Sequence, residues 1–199
     1  MTSKRLITVL SLLATLMFSS TLLADKAILA GGCFWCMEKD FEALDGVSEA
    51  VSGFTGGTAE NPTYGGDHTG HYEAVEITYD PTIVSYQDLI DHFWVNIDPF
   101  DARGQFCDKG PSYLAAIFVD SPEEKAIAEK SRQQVVERFP DKKVVTPILP
   151  VSEFFPIQGK EIHHQNFYKK SPTRYKAYRW GCGRDKRLKT IWGDDATVG

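Results

Sequence analysis

The stretch KAILAGGCFWCMEKDFEALDG, residues 26 to 46, decides how the rest of the chain is read. It opens with a short apolar run that stops on Gly31 and Gly32, the pattern of a buried strand closing in a turn. From Cys33 the period changes. Phe34, Met37, Phe41 and Leu44 recur at helical spacing, and Asp45-Gly46 is a stop signal. This junction puts Cys33 where a helix begins and Cys36 one turn further on. A thiol at that point lies beside unpaired N–H groups and the positive end of the helix dipole, which favour the reactive thiolate. Gly31 and Gly32 let backbone approach without side-chain obstruction. Phe34 lies on the apolar stripe, so core packing accounts for it as well as a wall beside the sulfur does. Trp35 lies off that stripe and calls for another role.

Working outward, VSEAVSGF (47–54) alternates as a strand, and a glycine-rich loop runs from residue 55 to 71. YEAVEITYDP (72–81) alternates cleanly, with Val75, Ile77 and Tyr79 on one face and Glu73 on the same face by period-two counting. Ser85 caps a helix over residues 86–97. A second loop, DPFDARGQFCDKGPS (98–112), leads to the strand YLAAIFVD (113–120). Ser121-Pro122-Glu123-Glu124 is a capping box that starts a helix reaching about Phe139. KKVVTPILPV (142–151) reads as an edge strand, since Pro147 interrupts it. The first six elements follow the order βαββαβ. The expected fold is therefore α+β: a two-layer sandwich on a ferredoxin-like core, with a mixed, largely antiparallel sheet and a loop-rich C-terminal tail. The two long loops are where binding chemistry is expected.

Residues 1–24 fall outside this pattern. Lys4 and Arg5 precede an apolar run from Leu6 to Phe18, and Leu22-Leu23-Ala24 closes it as a cleavage site. A membrane-spanning anchor is the competing reading, but Ser19, Ser20 and Thr21 dilute the run, and a cleaved signal peptide is preferred. Export, to a bacterial periplasm, is the expected localisation. Residues 25–199 then form one domain, large enough for a real core. Losing Lys4 and Arg5 makes the formal net charge of −5 still more negative. No basic patch interleaved with aromatics is present, so nucleic acid is not an expected partner.

All four cysteines, Cys33, Cys36, Cys107 and Cys182, lie in the mature part, where disulfides are permitted. A zinc site asks for a second Cys-x-x-Cys or Cys/His pair at short spacing. Cys107 and Cys182 are isolated and His163-His164 are adjacent, so zinc is set aside. A general thiol–disulfide oxidoreductase using Cys33 and Cys36 remains an alternative. So does a secreted binding domain held by two disulfides.

GGCFWCMEKDFEALDGV, followed in order by SGFTGG, NPTY, TGHYEAVEITYDP and HHQNFY, resembles the A-type peptide methionine sulfoxide reductases. The resemblance runs from about Ala27 to at least Phe167, and YRWGCGRDKRL is similar to the tail of one branch of that family. It implies reduction of the S epimer of methionine sulfoxide, free or in proteins, through a cysteine sulfenic acid, as repair of oxidised proteins. Cys33 then matches the nucleophile and Glu73 the acid that protonates the sulfoxide oxygen. Burial on a strand face would keep such a carboxyl protonated near neutrality. Phe34 and Trp35 match the aromatic walls for the substrate methyl, Tyr64 and Tyr113 the phenols that donate to the oxygen, and Asp108 an aspartate near the substrate. His164 and Gln165 fit a block expected to support structure.

The resemblance implies no cofactor beyond an external thioredoxin-like dithiol, which recycles an intramolecular disulfide. A monomer without stable membrane anchoring is expected. Three thiols compete to resolve the sulfenic acid, ranked Cys182, then Cys36, then Cys107. Departures are Cys36 where glycine is usual, a shorter loop from Tyr64 to His71, and Leu114-Ala115 where Arg-Ser is usual. FFPIQGKEIHHQ also carries extra residues before its His-Gln block.

Overall fold

The computed structural model describes residues 24–196, so the expected leader lies, except for Ala24, outside the described residues. The chain begins β1 (Asp25–Gly31), α1 (Phe34–Phe41), β2 (Val47–Thr55), β3 (Tyr72–Tyr79) and α2 (Tyr86–Val95). A small hairpin, β4 (Gly104–Gln105) and β5 (Asp108–Lys109), precedes β6 (Ala115–Val119) and α3 (Pro122–Arg138). The remainder is β7 (Ile148–Pro150), β8 (Phe155–Pro156), α4 (Phe167–Lys170), α5 (Pro172–Gly181) and α6 (Arg184–Trp192).

Six strands form one sheet in the order β7-β6-β1-β3-β2-β8. β1 runs antiparallel to β3 and β6, β2 antiparallel to β3 and β8, and β6 parallel to β7. The inner strands, β6-β1-β3-β2, have the ferredoxin-like order that βαββαβ predicts. β7 is an edge strand, where Pro150 removes no needed donor.

Pleating sorts the side chains. Leu29 pairs with Val75 and Phe54 with Glu73, so Glu73 lies on the face covered by α1 and α2. That layer packs Phe34, Met37 and Phe41 of α1 with Leu89, Ile90 and Phe93 of α2 against the sheet. Each such side chain contributes about 1.5–3 kcal/mol by leaving water. Ile28, Ala30, Ala74, Ala116 and Phe118 form a smaller cluster on the other face. β1 is thus buried on both sides, which explains its unbroken apolar run.

The turn from β1 into α1 is tight. A Cβ on Gly31 would lie 2.3 Å from Met37 Sδ, and Gly32, at φ +84°, would press one against Gln105. The glycines bring the β4–β5 hairpin up to the helix start. Ser85 caps α2 reciprocally with Asp88: each accepts the other's backbone N–H.

The C-terminal segment departs from the expected loop-rich tail. It forms α4, α5 and α6, and these helices pack over α1. The apolar stripe that would have announced them is broken by arginines at inward positions. In α6 the buried positions are Arg184, Leu188, Ile191 and Trp192, a helical repeat whose first member is a cation. Arg184 is 1% exposed, and its guanidinium donates to the carbonyls of Gly31 and Asn96.

Candidate active site

Cys33 is the N-cap of α1, and its carbonyl accepts the N–H groups of Cys36 and Met37. The N–H of Phe34, the first of the helix, donates to Glu73 Oε2 at 3.2 Å. One helix start therefore holds the sulfur of Cys33 and the carboxyl of Glu73 together. Glu73 is 3% exposed. Burial pushes its pKa up to about 8, helped by the charge of Asp108 and opposed by the Phe34 N–H and the Tyr113 hydroxyl. At neutral pH this carboxyl carries a proton.

The sulfurs are less simple than the sequence suggests. Cys33 is 6% exposed, so the expected open, ionised thiol is corrected: burial pushes the Cys33 thiol well up, reinforced by its hydrogen bond to Cys36 and by the charges of Cys36 and Glu73. Cys36 moves the other way, to about 7, because Cys33 donates to it, with Arg184 and Arg179 nearby and burial opposing. The two thiols share one proton, and the thiolate near neutrality belongs to both.

Around them lie aromatic and acidic groups from distant segments. Phe34 is fully buried, stacked 5.9 Å from the Tyr64 ring and edge-on to Phe54 at 6.1 Å. Trp35 is half-buried and stacks on Phe167 at 4.0 Å, and its indole N–H donates to His164 Nδ1 at 3.2 Å. Burial and the neighbouring His163 lower the pKa of His164, which suits an acceptor nitrogen. Tyr64 and Tyr113 face Glu73 and Cys33. Burial and those charges raise both phenols, Tyr64 to about 12, so each remains a donor. Gln165 bonds both backbone groups of Ser52 and the carbonyl of Ile157, a structural role.

Sequence reasoning missed Tyr178. Its hydroxyl lies within hydrogen-bonding reach of Cys33 and donates to Asp108 Oδ2 at 2.5 Å. Its ring meets Trp35 edge-on at 5.5 Å. Nothing local marks it, since YKAYRW lies in the segment expected to be a loop-rich tail. Arg179 and Arg184 were equally hidden. Arg179 clasps the buried Asp40 at 2.8 and 3.0 Å, and Arg184 stands over the Phe106 ring at 4.5 Å.

The ranking of thiols meets a different arrangement. Cys182, placed first as partner of Cys33, is bonded to Cys107, and Cys33 and Cys36 are free. That disulfide ties the β4–β5 hairpin to the α5–α6 turn. Two free thiols also rule out the reading of a binding domain held by two disulfides. Cys107 Sγ and Cys182 Sγ lie 3.7 and 3.8 Å from the two oxygens of Asp108. Sulfurs, carboxylate and spacing would suit a metal, but bonded to each other these sulfurs offer no thiolate.

A nucleophilic sulfur beside a second thiol and a protonated carboxyl, walled by aromatic rings, defines a thiol-dependent oxidoreductase. The profile of the family described as peptide methionine sulfoxide reductase matches residues 25–196. Peptide methionine sulfoxide reductase MsrA 2 of Caulobacter vibrioides is 46% identical over 172 residues, covering 85% of this chain and 86% of its own. Methionine sulfoxide reductase A of Corynebacterium diphtheriae has a similar structure: TM-score 0.69, 29% identity, 75% of this chain and 76% of that one. Mxr1 of Saccharomyces cerevisiae, in its reduced form, gives TM-score 0.66 at 25% identity over 75% of this chain and 87% of its own, and it has also been solved in complex with Trx2. The chain belongs to the peptide methionine sulfoxide reductase family, A-type.

Proposed function

We propose that this enzyme reduces the S epimer of methionine sulfoxide, free or in proteins, and so repairs oxidised proteins. The observation that carries the reading is the Glu73 carboxyl, buried and held by the same helix start as Cys33. Cys33 attacks the sulfoxide sulfur while Cys36 takes up its proton, and Glu73 protonates the departing oxygen. Tyr64 and Tyr113 donate to that oxygen, and Phe34 and Trp35 wall the methyl group. The hydroxyl passes from the substrate sulfur to Cys33 Sγ as the new sulfur–sulfur bond breaks, so methionine leaves and Cys33 becomes a sulfenic acid. Cys36, already hydrogen-bonded to Cys33, is the resolving thiol this arrangement favours over Cys182. Its attack expels water and forms the Cys33–Cys36 disulfide. The water carries the sulfoxide oxygen with one proton from Glu73 and the one the thiol pair shared, and Glu73 then regains its proton from solvent.

Recycling draws on an external thioredoxin-like dithiol, with Cys107 and Cys182 as the surface pair: reduced to thiols, one attacks the Cys33–Cys36 disulfide and the other then resolves the mixed disulfide, which restores both inner thiols and re-forms Cys107–Cys182. No prosthetic group takes part. We further propose an exported, periplasmic monomer without stable membrane anchoring, on the strength of the Lys4-Arg5 start and the apolar run that follows.

Incubating residues 25–199 with each separated epimer and dithiothreitol tests the reaction. Consumption of the S epimer alone is expected. Consumption of neither, with disulfide exchange on other proteins, would favour the general thiol–disulfide oxidoreductase instead.

A further inference from the structure

The surface around the Cys107–Cys182 disulfide has features that the fold does not require. Trp180, next to last in α5, is 86% exposed, whereas Trp94 and Trp192 are each 3% exposed. Its carbonyl accepts the Gly183 N–H, so it is built into the turn that carries Cys182. The disulfide itself is reachable, since Cys107 is exposed and Cys182 half-buried.

The glycines here are also informative. A Cβ on Gly181 would meet nothing within 4 Å, and its backbone does not need a positive φ. Glycine in that last turn of α5 gives up as much as about 1 kcal/mol of helix propensity relative to alanine. Neither packing nor backbone geometry within the chain explains it. Gly183, on the other side of Cys182, and Gly110, beyond Cys107, are called for by φ of +68° and +127°, and a Cβ on either would also meet nothing within 4 Å. The sulfurs therefore lie on a shelf bare of side chains, flanked by one projecting indole. Lys176, four residues before Trp180 and exposed on the same helix face, adds a cation.

We propose that this shelf is the docking surface of the recycling protein, with Trp180 as its anchor and Cys107 as the sulfur attacked. The inference rests on the recycling reading above. The partner it fits is a protein dithiol with an apolar groove and acidic groups beside its cysteines. Its nucleophilic thiolate attacks Cys107 Sγ, forming a mixed disulfide and releasing Cys182 as a thiolate. The partner's second thiolate then attacks the mixed disulfide and releases Cys107. One dithiol is oxidised to a disulfide, and Cys107–Cys182 is reduced to two thiols once the released thiolates pick up the partner's two protons. A small dithiol needs no shelf.

The test uses Trp180→Ala and Gly181→Leu in the mature chain, turned over either by purified thioredoxin with its NADPH-dependent reductase or by dithiothreitol. Both positions are open to solvent, so both variants fold. With thioredoxin, kcat/KM for the reductant should fall at least about tenfold, the scale of an interface tryptophan. With dithiothreitol, turnover should match the parent. Unchanged thioredoxin kinetics in both variants overturn the docking surface, and so does an equal loss with both reductants, which would place the defect inside the enzyme. A parent enzyme that turns over with dithiothreitol but not with thioredoxin would instead overturn the recycling reading itself, before any variant is made.

Discussion

Cys33 and Cys36 are reduced and buried one helical turn apart, whereas Cys107 and Cys182, 75 residues apart in sequence, are joined in a bond whose first sulfur faces solvent. The inner pair is governed by its surroundings. Desolvation holds the proton on Cys33, and Arg184 and Arg179 help Cys36 stay ionised. The outer pair is governed by access, because glycines leave it uncovered. On the proposed function, the difference separates two tasks that conflict at a single site. Reducing a sulfoxide needs a dry pocket with a neutral acid, while meeting a protein reductant needs an open surface. Asp108 and Tyr178 stand between the pairs, one touching both outer sulfurs and the other reaching Cys33.

Removing one sulfur from each pair breaks the comparison most sharply. Cys33→Ser is expected to abolish sulfoxide reduction. Cys182→Ser should still produce one methionine per enzyme in a single-turnover experiment, yet fail to cycle with thioredoxin. A normal steady-state rate with thioredoxin in Cys182→Ser would mean that the outer pair is a structural bridge.

Glu73→Gln comes next, with an expected loss of about 10²–10⁴-fold, the range for a general acid. Its pH dependence has a definite sign. The parent rate should rise as the thiol pair ionises near pH 7, then fall through about pH 8 as Glu73 loses its proton. The falling limb should vanish in Glu73→Gln. Because the folded-state pKa of Glu73 lies above its ordinary value of 4.5, its burial costs stability progressively between that value and about pH 8. Glu73→Gln should therefore melt higher than the parent at alkaline pH. A lower melting point there would show that the carboxylate is stabilised in place.

The smallest effect expected is that of Tyr178→Phe. Its hydroxyl is bonded to the Asp108 carboxylate within reach of Cys33, and losing a hydrogen bond to a charged group costs about 1.5–3 kcal/mol, or roughly ten- to hundredfold in rate. The Tyr178 hydroxyl lowers the pKa of Cys33, so the rising limb of the pH profile should also move to higher pH. A drop in rate without that movement would assign Tyr178 to packing against Trp35 alone.

What could be read in advance was local. A change of period at Cys33 marks the helix start, and alternation along YEAVEITYDP puts Glu73 on the inward face. Ser85 and Ser121 announce caps that the structure contains. The tail resisted the same method because Arg179 and Arg184 occupy buried positions that periodicity assigns to apolar side chains. They are tolerated there only because Asp40 and backbone carbonyls, far away in sequence, satisfy them.

By itself, then, the sequence determined the βαββαβ order of the core, the position of Cys33 at a helix start and the inward aim of Glu73. Each follows from residues within a few positions of one another. Tertiary structure alone decided which sulfurs bond, where the shared thiol proton sits and that Tyr178 reaches the site. Those outcomes depend on desolvation and on contacts between segments 70 or more residues apart, such as Tyr178 with Asp108 and Cys182 with Cys107, which no local pattern encodes.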